Sequence, residues 1–255
     1  MKIHRFYMPQ ALTETLRDVG EVEIEKGEED TYFDSEEFIH QLTHVLRFKS
    51  GDLLHVFNSE VGEYMVSITG FTKKAMNIKL EKEIEDMKSN TGVRITLAMS
   101  LIKKDKLELV AEKATELGIE TLIPIVTERV IQKNVPNERL LRIAKEAAEQ
   151  SGRISIPEIR DIEEFKDILK TVKNYDLCLF GNMEGELSYK DISNTFEKDS
   201  VKSLLLFIGP EGGWTEGEIE LFKTNGVKSI SIQKNTLRAE TAAIGVLGFL
   251  SGLAR

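Results

Sequence analysis

From residue 93 onward the sequence alternates between short apolar runs and segments of helical pattern, and this alternation restricts the fold more than any other feature. The apolar runs cover residues 93–100, 121–126, 175–180, 204–208 and 229–233. The segments of helical pattern cover residues 104–117, 137–150, 162–173, 215–225 and 239–253. Strands that alternate with helices form parallel sheets covered by those helices. The sequence therefore predicts an α/β fold built on a parallel sheet.

The first 88 residues have a different pattern, with short strands joined by turns. Strands are predicted over residues 53–57, 63–69 and 76–84, with residues 58–62 as a hairpin loop. One helix is predicted where Phe38, Leu42, Val45 and Leu46 fall at helical spacing. The polar residues 86–91 are predicted to form a linker. We expect a small β-barrel-like domain over residues 1–88 and the α/β domain over residues 92–255.

Most of the negative charge lies in one short stretch. The chain has a net charge of −9, and residues 21–37 contain nine acidic residues and one lysine. That stretch therefore carries −8 and leaves −1 for the remainder, which is typical of a solvated loop or a strand edge. The overall acidity does not exclude an RNA partner, because a basic face elsewhere in the chain stays open.

Several classes of protein and site are excluded or disfavoured. No apolar run approaches the ~20 residues that cross a membrane, and MKIHRFYMPQ has no apolar signal core, so we expect a cytoplasmic protein. Cys178 is the only cysteine, which excludes an internal disulfide and a cysteine-based zinc site. It lies in an apolar run, as a buried bystander would. His40 and His44 have a zinc-compatible spacing but no third ligand pattern, so no metal is expected.

The stretch LLLFIGPEGGWTEGEIE, residues 204–220, predicts a strand, a glycine turn and a helix. Thr215 and Glu218 form a capping box at the start of this helix. Ligands bind at such turns in open α/β sheets, although the turn could equally be purely structural. Glu211, Glu216 and Glu218 would repel a di- or triphosphate, and neither common phosphate fingerprint is present. A neutral or cationic ligand is therefore favoured.

A second turn leads into the helix over residues 239–253. This helix carries small and apolar residues on nearly every face, which indicates burial in a core or in a subunit interface. Arg238 and Glu240 stand at its entrance, where lone buried charges are rare. They either pair with each other or face a ligand, and the sequence leaves both readings open.

Together the two turns resemble the signature of the SPOUT-class RNA methyltransferases, and specifically of the RsmE family, which methylates N3 of a uridine in 16S ribosomal RNA. The resemblance rests on IGPEGGWTEGEIE and LRAETAAIGVL, and further pieces match in order along nearly the whole chain. These pieces are His4-Arg5-Phe6, His44-Val-Leu-Arg47 with Gly51-Asp52, Glu116-Leu-Gly118, Thr127-Glu-Arg129, and Glu149-Gln-Ser-Gly-Arg153 followed by Ile156-Pro-Glu158.

The resemblance implies S-adenosylmethionine as cofactor, a sulfonium without phosphate that suits a carboxylate-rich glycine turn. It also implies a C-terminal trefoil knot, a homodimer formed through the knotted region, and a PUA-like RNA-binding module at the N-terminus. The cofactor is expected at three strand ends. The residues expected there are Phe180, Gly181, Gly209, Pro210, Glu211, Gly212, Gly213, Ile232, Leu237, Arg238, Glu240 and Thr241.

Arginines are the candidates for substrate contacts. N3 of uridine is a weakly acidic imide, and an arginine can stabilise its anion but hardly remove its proton, because the guanidinium pKa lies above ~12. Arg153 and Arg238 are predicted to be catalytic, and no residue stands out as a general base. Arg5, Arg47, Lys49 and Arg129 are predicted to bind RNA, although Arg129 could instead serve a structural role.

Two rivals stay open beside this reading. A related knotted methyltransferase could modify a ribose 2′-hydroxyl or another base. A catalytically idle RNA-binding assembly factor could keep the same fold. The expected partner in the leading reading is 16S ribosomal RNA or the assembled small ribosomal subunit.

Overall fold

The computed structural model describes residues 4–26, 29–30, 33–72, 75–84, 92–130, 136–198, 201–231 and 235–253. The predicted linker, residues 86–91, lies outside the residues that the structure describes. The contacts divide the chain into two units. The first unit comprises Met1–Ser89 together with Lys145–Ile156, and the second comprises Asn90–Ala144 and Pro157–Arg255. The inclusion of Lys145–Ile156 in the first unit differs from the predicted division into residues 1–88 and 92–255.

A five-stranded sheet forms the centre of the first unit, in the order β1-β5-β6-β7-β2. β1 is parallel to β5, and the other neighbouring pairs are antiparallel. The strands and helices are β1 Arg5–Tyr7, α1 Gln10–Val19, β2 Glu21–Glu25, β3 Glu29–Asp30, β4 Phe33–Asp34, α2 Ser35–His40, β5 Leu53–Asn58, β6 Gly62–Phe71 and β7 Ala75–Ile84. A π-helical turn, Gln41–Val45, continues α2.

Part of the acidic stretch is the edge strand β2. Its glutamates are exposed, whereas Val22 and Ile24 between them are buried against the core of the first unit. Charged residues on an edge strand discourage pairing with other chains. The prediction of a strand edge is therefore confirmed for Glu21–Glu25.

The first unit contains more helices than predicted. The predicted helix is present as α2 and the π-helical turn. α2 begins after Asp34, whose carboxylate accepts hydrogen bonds from the Glu36 and Glu37 amides. The expectation of a single helix is wrong, since α1 precedes it and buries Thr13 and Leu16. The three predicted strands are present as β5, β6 and β7.

The second unit contains a seven-stranded sheet with parallel pairing throughout its described strands. The order is β10-β9-β8-β13-β12-β14, and β11 also pairs with β9. Its elements are β8 Arg94–Ser100, α3 Lys104–Glu116, β9 Thr121–Val126, α4 Asn137–Ser151, β10 Glu158–Ile159, β11 Glu163–Glu164, α5 Phe165–Leu169, β12 Leu177–Gly181, α6 Tyr189–Lys198, β13 Ser203–Ile208, α7 Glu216–Thr224, β14 Lys228–Ile230 and α8 Ala239–Leu253. The last turns of α4 belong to the first unit. The prediction of an α/β fold on a parallel sheet is confirmed.

An aromatic cluster fills one side of this sheet. Phe207 of the wholly buried strand β13 packs with Phe165 of α5 and Phe222 of α7. Phe180 of β12 stacks on Phe222 with ring centroids 4.2 Å apart. These contacts fix the carboxyl ends of β12 and β13 side by side.

One predicted helix differs from the structure. Residues 162–173 were expected to form a single helix, but they form β11, α5 and a 3₁₀ turn at Val172–Asn174. β11 arises because Glu163 and Glu164 pair with Ile125 and Val126 of β9. A distant strand therefore overrides the local helical pattern.

α8 matches its predicted bounds, and of the two expected kinds of burial, in a core or in a subunit interface, part of the helix shows the first. Leu247 and Leu250 are fully buried within the chain, so they are not part of an exposed dimer face. Ile244 and Leu253 are half-buried, and Gly248 is exposed. Within the described residues, no helix combines the length and apolarity needed to span a membrane.

Candidate active site

A cavity of about 490 Å³ lies beyond the carboxyl ends of β12, β13 and β14 in the second unit. Its size falls within the range of small-molecule sites, and its position is the usual ligand position in open parallel sheets. The structure brings the three predicted strand ends together here. The predicted residues that line the cavity are Gly181, Gly209, Pro210, Glu211, Gly212, Gly213, Leu237 and Arg238.

Four predicted cofactor residues do not line the cavity in the structure. The Phe180 ring belongs to the aromatic cluster, because alternate strand residues point to opposite faces. Glu240 is buried in the first turn of α8, and Thr241 is exposed on the same helix. Ile232 lies outside the described residues.

Trp214 lines the cavity and was not among the predicted site residues. Its indole Nε1 donates to the Gly181 carbonyl at 3.0 Å and so joins the end of β12 to the glycine turn. A Cβ added at Gly209 would lie 3.0 Å from the indole Cε2, so a side chain at this position would press against the ring. The signal for Trp214 was its place directly after Gly212-Gly213.

The cavity is also lined by residues that were not predicted, most of them close to predicted residues in the sequence. They are Asn182, Met183, Ile208, Ile219, Ile230, Asn235, Thr236, Ala239 and Ala242.

The glycine turn has a defined backbone shape. The Gly213 amide donates to the Pro210 carbonyl at 2.8 Å, and Gly213 has a φ of +68°, in the left-handed region that favours glycine. One Glu211 carboxylate oxygen accepts from the Lys103 amide at 3.4 Å. The turn is therefore anchored at its outer side to the start of α3.

Two charged side chains connect the glycine turn and the start of α7 with the loop after β9: Glu218 of α7 and Arg129 of the loop. Glu218 is 1% exposed, and its carboxylate accepts from the Glu128 amide at 2.9 Å and the Thr215 amide at 2.8 Å. Arg129 Nη1 donates to the Gly212 carbonyl at 2.6 Å and to the Trp214 carbonyl at 3.3 Å. Glu218 and Arg129 thus fix the backbone that lines the cavity, and the capping box predicted for Thr215 and Glu218 is confirmed.

The predicted catalytic Arg153 lies in the first unit, two residues after the end of α4. Its Nη2 donates to the Ser155 hydroxyl at 3.0 Å. Burial lowers the pKa of the Arg153 guanidinium to about 10, so this group stays protonated at neutral pH. Arg153 can therefore supply positive charge in a desolvated place. The other predicted catalytic arginine, Arg238, is an exposed lining residue of the cavity in the second unit.

The structure corrects the assignment of Arg5 as an RNA contact. Its side chain is only 13% exposed, and its guanidinium makes a bidentate ion pair with Glu63, at 2.9 and 2.7 Å. His55 Nδ1 lies 2.7 Å from the same carboxylate. Arg5 is therefore committed within the first unit and is not available to a phosphate.

Arg47 and Lys49 are exposed, as an RNA contact requires. Arg47 has a φ of +58°, which is uncommon for a residue other than glycine. It follows the π-helical turn at the position where helices often end on a glycine. The residue at this position therefore accepts some backbone strain, and function is a frequent reason for such strain.

The remaining candidates from the sequence are Cys178, His40 and His44. The Cys178 thiol is half-buried and donates to the Val172 carbonyl, and burial raises its pKa to about 11, as expected of a bystander. His40 and His44 stack with ring centroids 4.7 Å apart. In the part of the chain that the structure describes, no group of three or more His, Cys, Asp or Glu side chains is arranged to hold a metal ion.

Comparison with known proteins places these features in a family. Residues 89–251 match the family model described as RNA methyltransferase domain. The chain is 36% identical over 245 residues to ribosomal RNA small subunit methyltransferase E of Rickettsia conorii, covering 96% of this chain and 93% of that protein. It is 30% identical to the protein of the same name from Bacillus subtilis, covering 84% of this chain and 87% of that protein.

Solved structures agree with this result. A putative methyltransferase from Legionella pneumophila in complex with S-adenosylmethionine has 26% identity and a TM-score of 0.80, covering 99% of this chain and 98% of that one. Ribosomal RNA small subunit methyltransferase E from Neisseria gonorrhoeae, bound to S-adenosylmethionine, has 24% identity and a TM-score of 0.84, with 99% and 98% covered. The second likeness bears on the fold alone.

Proposed function

Since the chain belongs to the ribosomal RNA small subunit methyltransferase E family, we propose that it transfers a methyl group from S-adenosylmethionine to N3 of a uridine in 16S ribosomal RNA. The observation that carries this proposal is the glycine-lined cavity at the ends of β12, β13 and β14. The partner is then 16S ribosomal RNA or the assembled small subunit, and the proposed location is the cytoplasm.

The residues of the cavity fit S-adenosylmethionine. Among the lining residues that the structure describes, the charged side chains are Glu211 and Arg238, so the site is close to neutral overall. A di- or triphosphate would need more positive charge than this. Apolar side chains such as Ile208, Ile219 and Leu237 offer a surface for a purine ring, and the backbone of Gly209–Gly213 can approach the ligand closely. When bound there, S-adenosylmethionine supplies an activated methyl group.

The protein's tasks are to orient the uracil and to offset its developing charge. The imide proton of N3 must leave before or as the new bond forms, which puts negative charge on the ring. A protonated guanidinium cannot accept that proton, but it stabilises the anion. We assign this role to Arg153, which remains charged at neutral pH despite its burial. We propose that Arg238, a lining residue of the cavity, is the second catalytic arginine.

The proposed RNA contacts are Arg47, Lys49 and Arg129. All three are exposed. Arg129 has a double role in this proposal, because its Nη1 also holds the glycine turn. The five-stranded sheet of the first unit is proposed to be a PUA-like RNA-binding module on the basis of the family resemblance.

We also propose that the second unit contains the trefoil knot of the family. The support is the close contact between residues 182–187 and the chain leaving β14. The Leu187 amide donates to the Ser229 carbonyl at 3.0 Å, and the Ser231 amide donates back to the Leu187 carbonyl at 3.2 Å. A Cβ at Gly185 would lie 2.1 Å from the Ser231 nitrogen. This segment therefore packs directly against the end of β14, which is compatible with a threaded chain.

A homodimer through α8 is part of the proposal. The exposed face of α8 carries small residues at helical spacing, namely Thr241, Gly245, Gly248 and Gly252. A Cβ at Gly248 would meet nothing within 4 Å, so a larger residue there does not disturb the chain itself. We expect Gly248→Glu to shift a wild-type dimer toward monomer in sedimentation. A monomeric wild-type protein at micromolar concentration would refute the dimer.

Mass spectrometry of nucleosides tests the reaction itself. The 16S ribosomal RNA of a strain lacking this gene should contain no 3-methyluridine, and the modification should return with the wild-type gene. Loss of a 2′-O-methylated nucleoside instead would indicate the related enzyme class. An unchanged set of nucleosides would indicate an assembly factor without catalytic activity.

A further inference from the structure

The end of α4 is held by a side chain from the opposite end of the first unit's sequence. α4 ends at Ser151, and Gly152 follows with a φ of +86°. The last carbonyls of a helix have no partner within the helix. Arg5 of β1 supplies one, because its Nη1 donates to the Ala148 carbonyl at 3.4 Å. Its Nη2 donates to the Arg153 carbonyl at 3.2 Å. One guanidinium therefore connects the helix end with the residue proposed to be catalytic.

Arg5 is itself fixed in place from several directions. The Glu63 carboxylate holds Nε and Nη2, and Glu63 is 2% exposed. The centre of the guanidinium lies 4.7 Å from the centroid of the Phe57 ring, in a cation–π contact. His55 Nδ1 lies 2.7 Å from Glu63 Oε1, the oxygen that also accepts from Arg5 Nε. Arg5 is therefore a rigid support, unlike an arginine that is free to follow a ligand.

A second contact places the same segment on β1. The Tyr7 amide donates to a Glu149 carboxylate oxygen at 3.0 Å. Arg5 and Tyr7 thus hold Ala148, Glu149 and Arg153, which cover the last helical turn and the turn after it. Arg5 binds the backbone on both sides of Gly152, and Tyr7 of the same strand binds the Glu149 side chain.

We propose that Arg5 is a positioning residue for Arg153. It acts through the main chain: by binding the Ala148 and Arg153 carbonyls, it sets the direction in which the Arg153 side chain leaves the turn. This inference rests on the proposed role of Arg153 in stabilising the uracil anion. It gives Arg5 a function in turnover instead of RNA affinity.

Lysine is the informative replacement at this position. An ammonium keeps the charge beside Glu63, but it lacks the planar fork that binds a carboxylate bidentately and two carbonyls at the same time. We expect Arg5→Lys to reduce kcat at saturating RNA and cofactor by about 10- to 100-fold, because small misplacements of a catalytic group cost rates of that order. The affinity for S-adenosylmethionine and the salt dependence of RNA binding should stay at the wild-type values. Arg17→Lys is the matched control, because Arg17 is an exposed arginine of the same unit, and it should leave kcat unchanged.

A double-mutant cycle shows whether Arg5 acts through Arg153. We expect Arg5→Lys to have little further effect on kcat when Arg153→Lys is already present. Independent, multiplicative effects of the two changes would overturn the inference. A wild-type kcat in Arg5→Lys, with a slow Arg153→Lys, would overturn it too while leaving the proposed role of Arg153 intact. A wild-type kcat in Arg153→Lys would contradict that role itself and the inference with it.

Gly152→Ala addresses the same turn if Arg5→Lys does not fold. The added Cβ would lie 4.0 Å from Arg5 Nη1, so it does not collide, but alanine is strained at a φ of +86°. We expect a lower kcat with unchanged cofactor affinity. A wild-type kcat in Gly152→Ala would show that the geometry of the turn is irrelevant to turnover, which also contradicts the inference. An unchanged Arg5→Lys salt slope separates this role from a phosphate contact, whose loss makes the slope shallower.

Discussion

The turn that carries Arg153 in the first unit and the glycine turn of the cavity in the second unit are both held by an arginine that donates to main-chain carbonyls. The two arginines differ in their surroundings. Arg5 holds the first turn and is itself paired with the buried carboxylate of Glu63. The second turn is held by the exposed Arg129 and by the Trp214 ring lying against Gly209. The first arrangement depends on a buried ion pair. The second combines an exposed arginine and the buried Glu218 carboxylate, which accepts from backbone amides, with close packing of Gly209 against Trp214.

Because of this difference, the two turns should be sensitive to different substitutions. Removing one partner of a buried ion pair leaves a charge in a place with little water, which is costly. Adding a methyl group to a closely packed glycine displaces its neighbour, but it leaves no charge unpaired. The turn that carries Arg153 should therefore respond strongly to pH and to removal of Glu63, whereas the packing of Gly209 against Trp214 should respond to changes in volume.

Removal of the buried carboxylate should have the largest effect. We expect Glu63→Ala to lower the free energy of unfolding by about 3–5 kcal/mol, because Arg5 loses its ionic partner. Urea denaturation followed by circular dichroism measures this loss. Asp18→Ala, which removes the partner of the exposed Arg17, is the control and should cost less than about 1 kcal/mol. Equal losses in the two variants would contradict the contrast between buried and exposed pairs.

The pH dependence of this effect has a definite direction. Burial raises the pKa of the Glu63 carboxyl, but the hydrogen bonds from Arg5 and His55 outweigh burial and hold its pKa below the usual value. The stabilisation by Glu63 is therefore complete above the pKa of the unfolded chain and is lost as pH falls through the folded one. Glu63→Ala should lose this part of the acid sensitivity.

A methyl group at Gly209 should weaken cofactor binding without unfolding the protein. Its Cβ would lie 3.0 to 3.3 Å from three indole atoms of Trp214, so the ring must shift, which disturbs its hydrogen bond to the Gly181 carbonyl. We expect Gly209→Ala to raise the Kd for S-adenosylmethionine at least about tenfold, or roughly 1.4 kcal/mol, in calorimetry. Gly217→Ala is the matched control, since its Cβ would meet only Thr215 Oγ1 at 3.9 Å. A wild-type Kd for Gly209→Ala would remove Trp214 from the support of the cavity.

Glu149 offers a sharper test of the pH contrast. Burial raises the pKa of this carboxyl from 4.5 to about 7, although Lys145 and the Tyr7 amide partly oppose the shift. A raised folded pKa means that the stabilising contribution is complete below pH 4.5 and is lost as pH rises through about 7. Glu149→Gln should therefore be more stable than the wild type at pH 8, by roughly 1–3 kcal/mol, and should match it more closely at pH 5. If the difference in the free energy of unfolding between Glu149→Gln and the wild type is the same at both pH values, the raised pKa of Glu149 is refuted.

The smallest effect on stability is expected at Arg47. Glycine adopts the left-handed conformation without strain, so Arg47→Gly should leave the free energy of unfolding unchanged or raise it by less than about 1 kcal/mol. RNA affinity should fall, and the salt slope should become shallower by about one, as expected for a lost phosphate contact. Arg47→Lys should keep the slope. Unchanged RNA affinity in Arg47→Gly would remove the main support for RNA binding by the first unit.

Local signals allowed much of the second unit to be predicted from the sequence. β9 and α8 match their predicted bounds, because an apolar run and a helical pattern each end at polar or glycine residues. The strand ends around the cavity were predictable for the same reason, since Gly181 and Gly209–Gly213 directly follow apolar runs. Ligands collect at such ends in any open parallel sheet.

The remaining features depend on contacts between distant residues. The role of Arg5 needs Glu63, 58 positions away, and the Arg153 carbonyl, 148 positions away, and no local pattern shows either partner. The same holds for Arg129, whose acceptors lie 83 and 85 positions further along the chain. Both arginines were predicted to bind RNA because an arginine in a family motif does not reveal whether its partner is a phosphate or a carbonyl.

The most direct test of the account is methyl transfer by the purified protein. The protein should be incubated with S-adenosylmethionine carrying a deuterated methyl group and with small ribosomal subunits from a strain lacking the gene. The nucleosides of the 16S ribosomal RNA are then analysed by mass spectrometry. The account predicts deuterated 3-methyluridine with the wild-type protein and a strongly reduced yield with Gly209→Ala at limiting cofactor. Deuterium on a ribose 2′-oxygen or on another base, or no transfer from a protein that binds the cofactor, would contradict it.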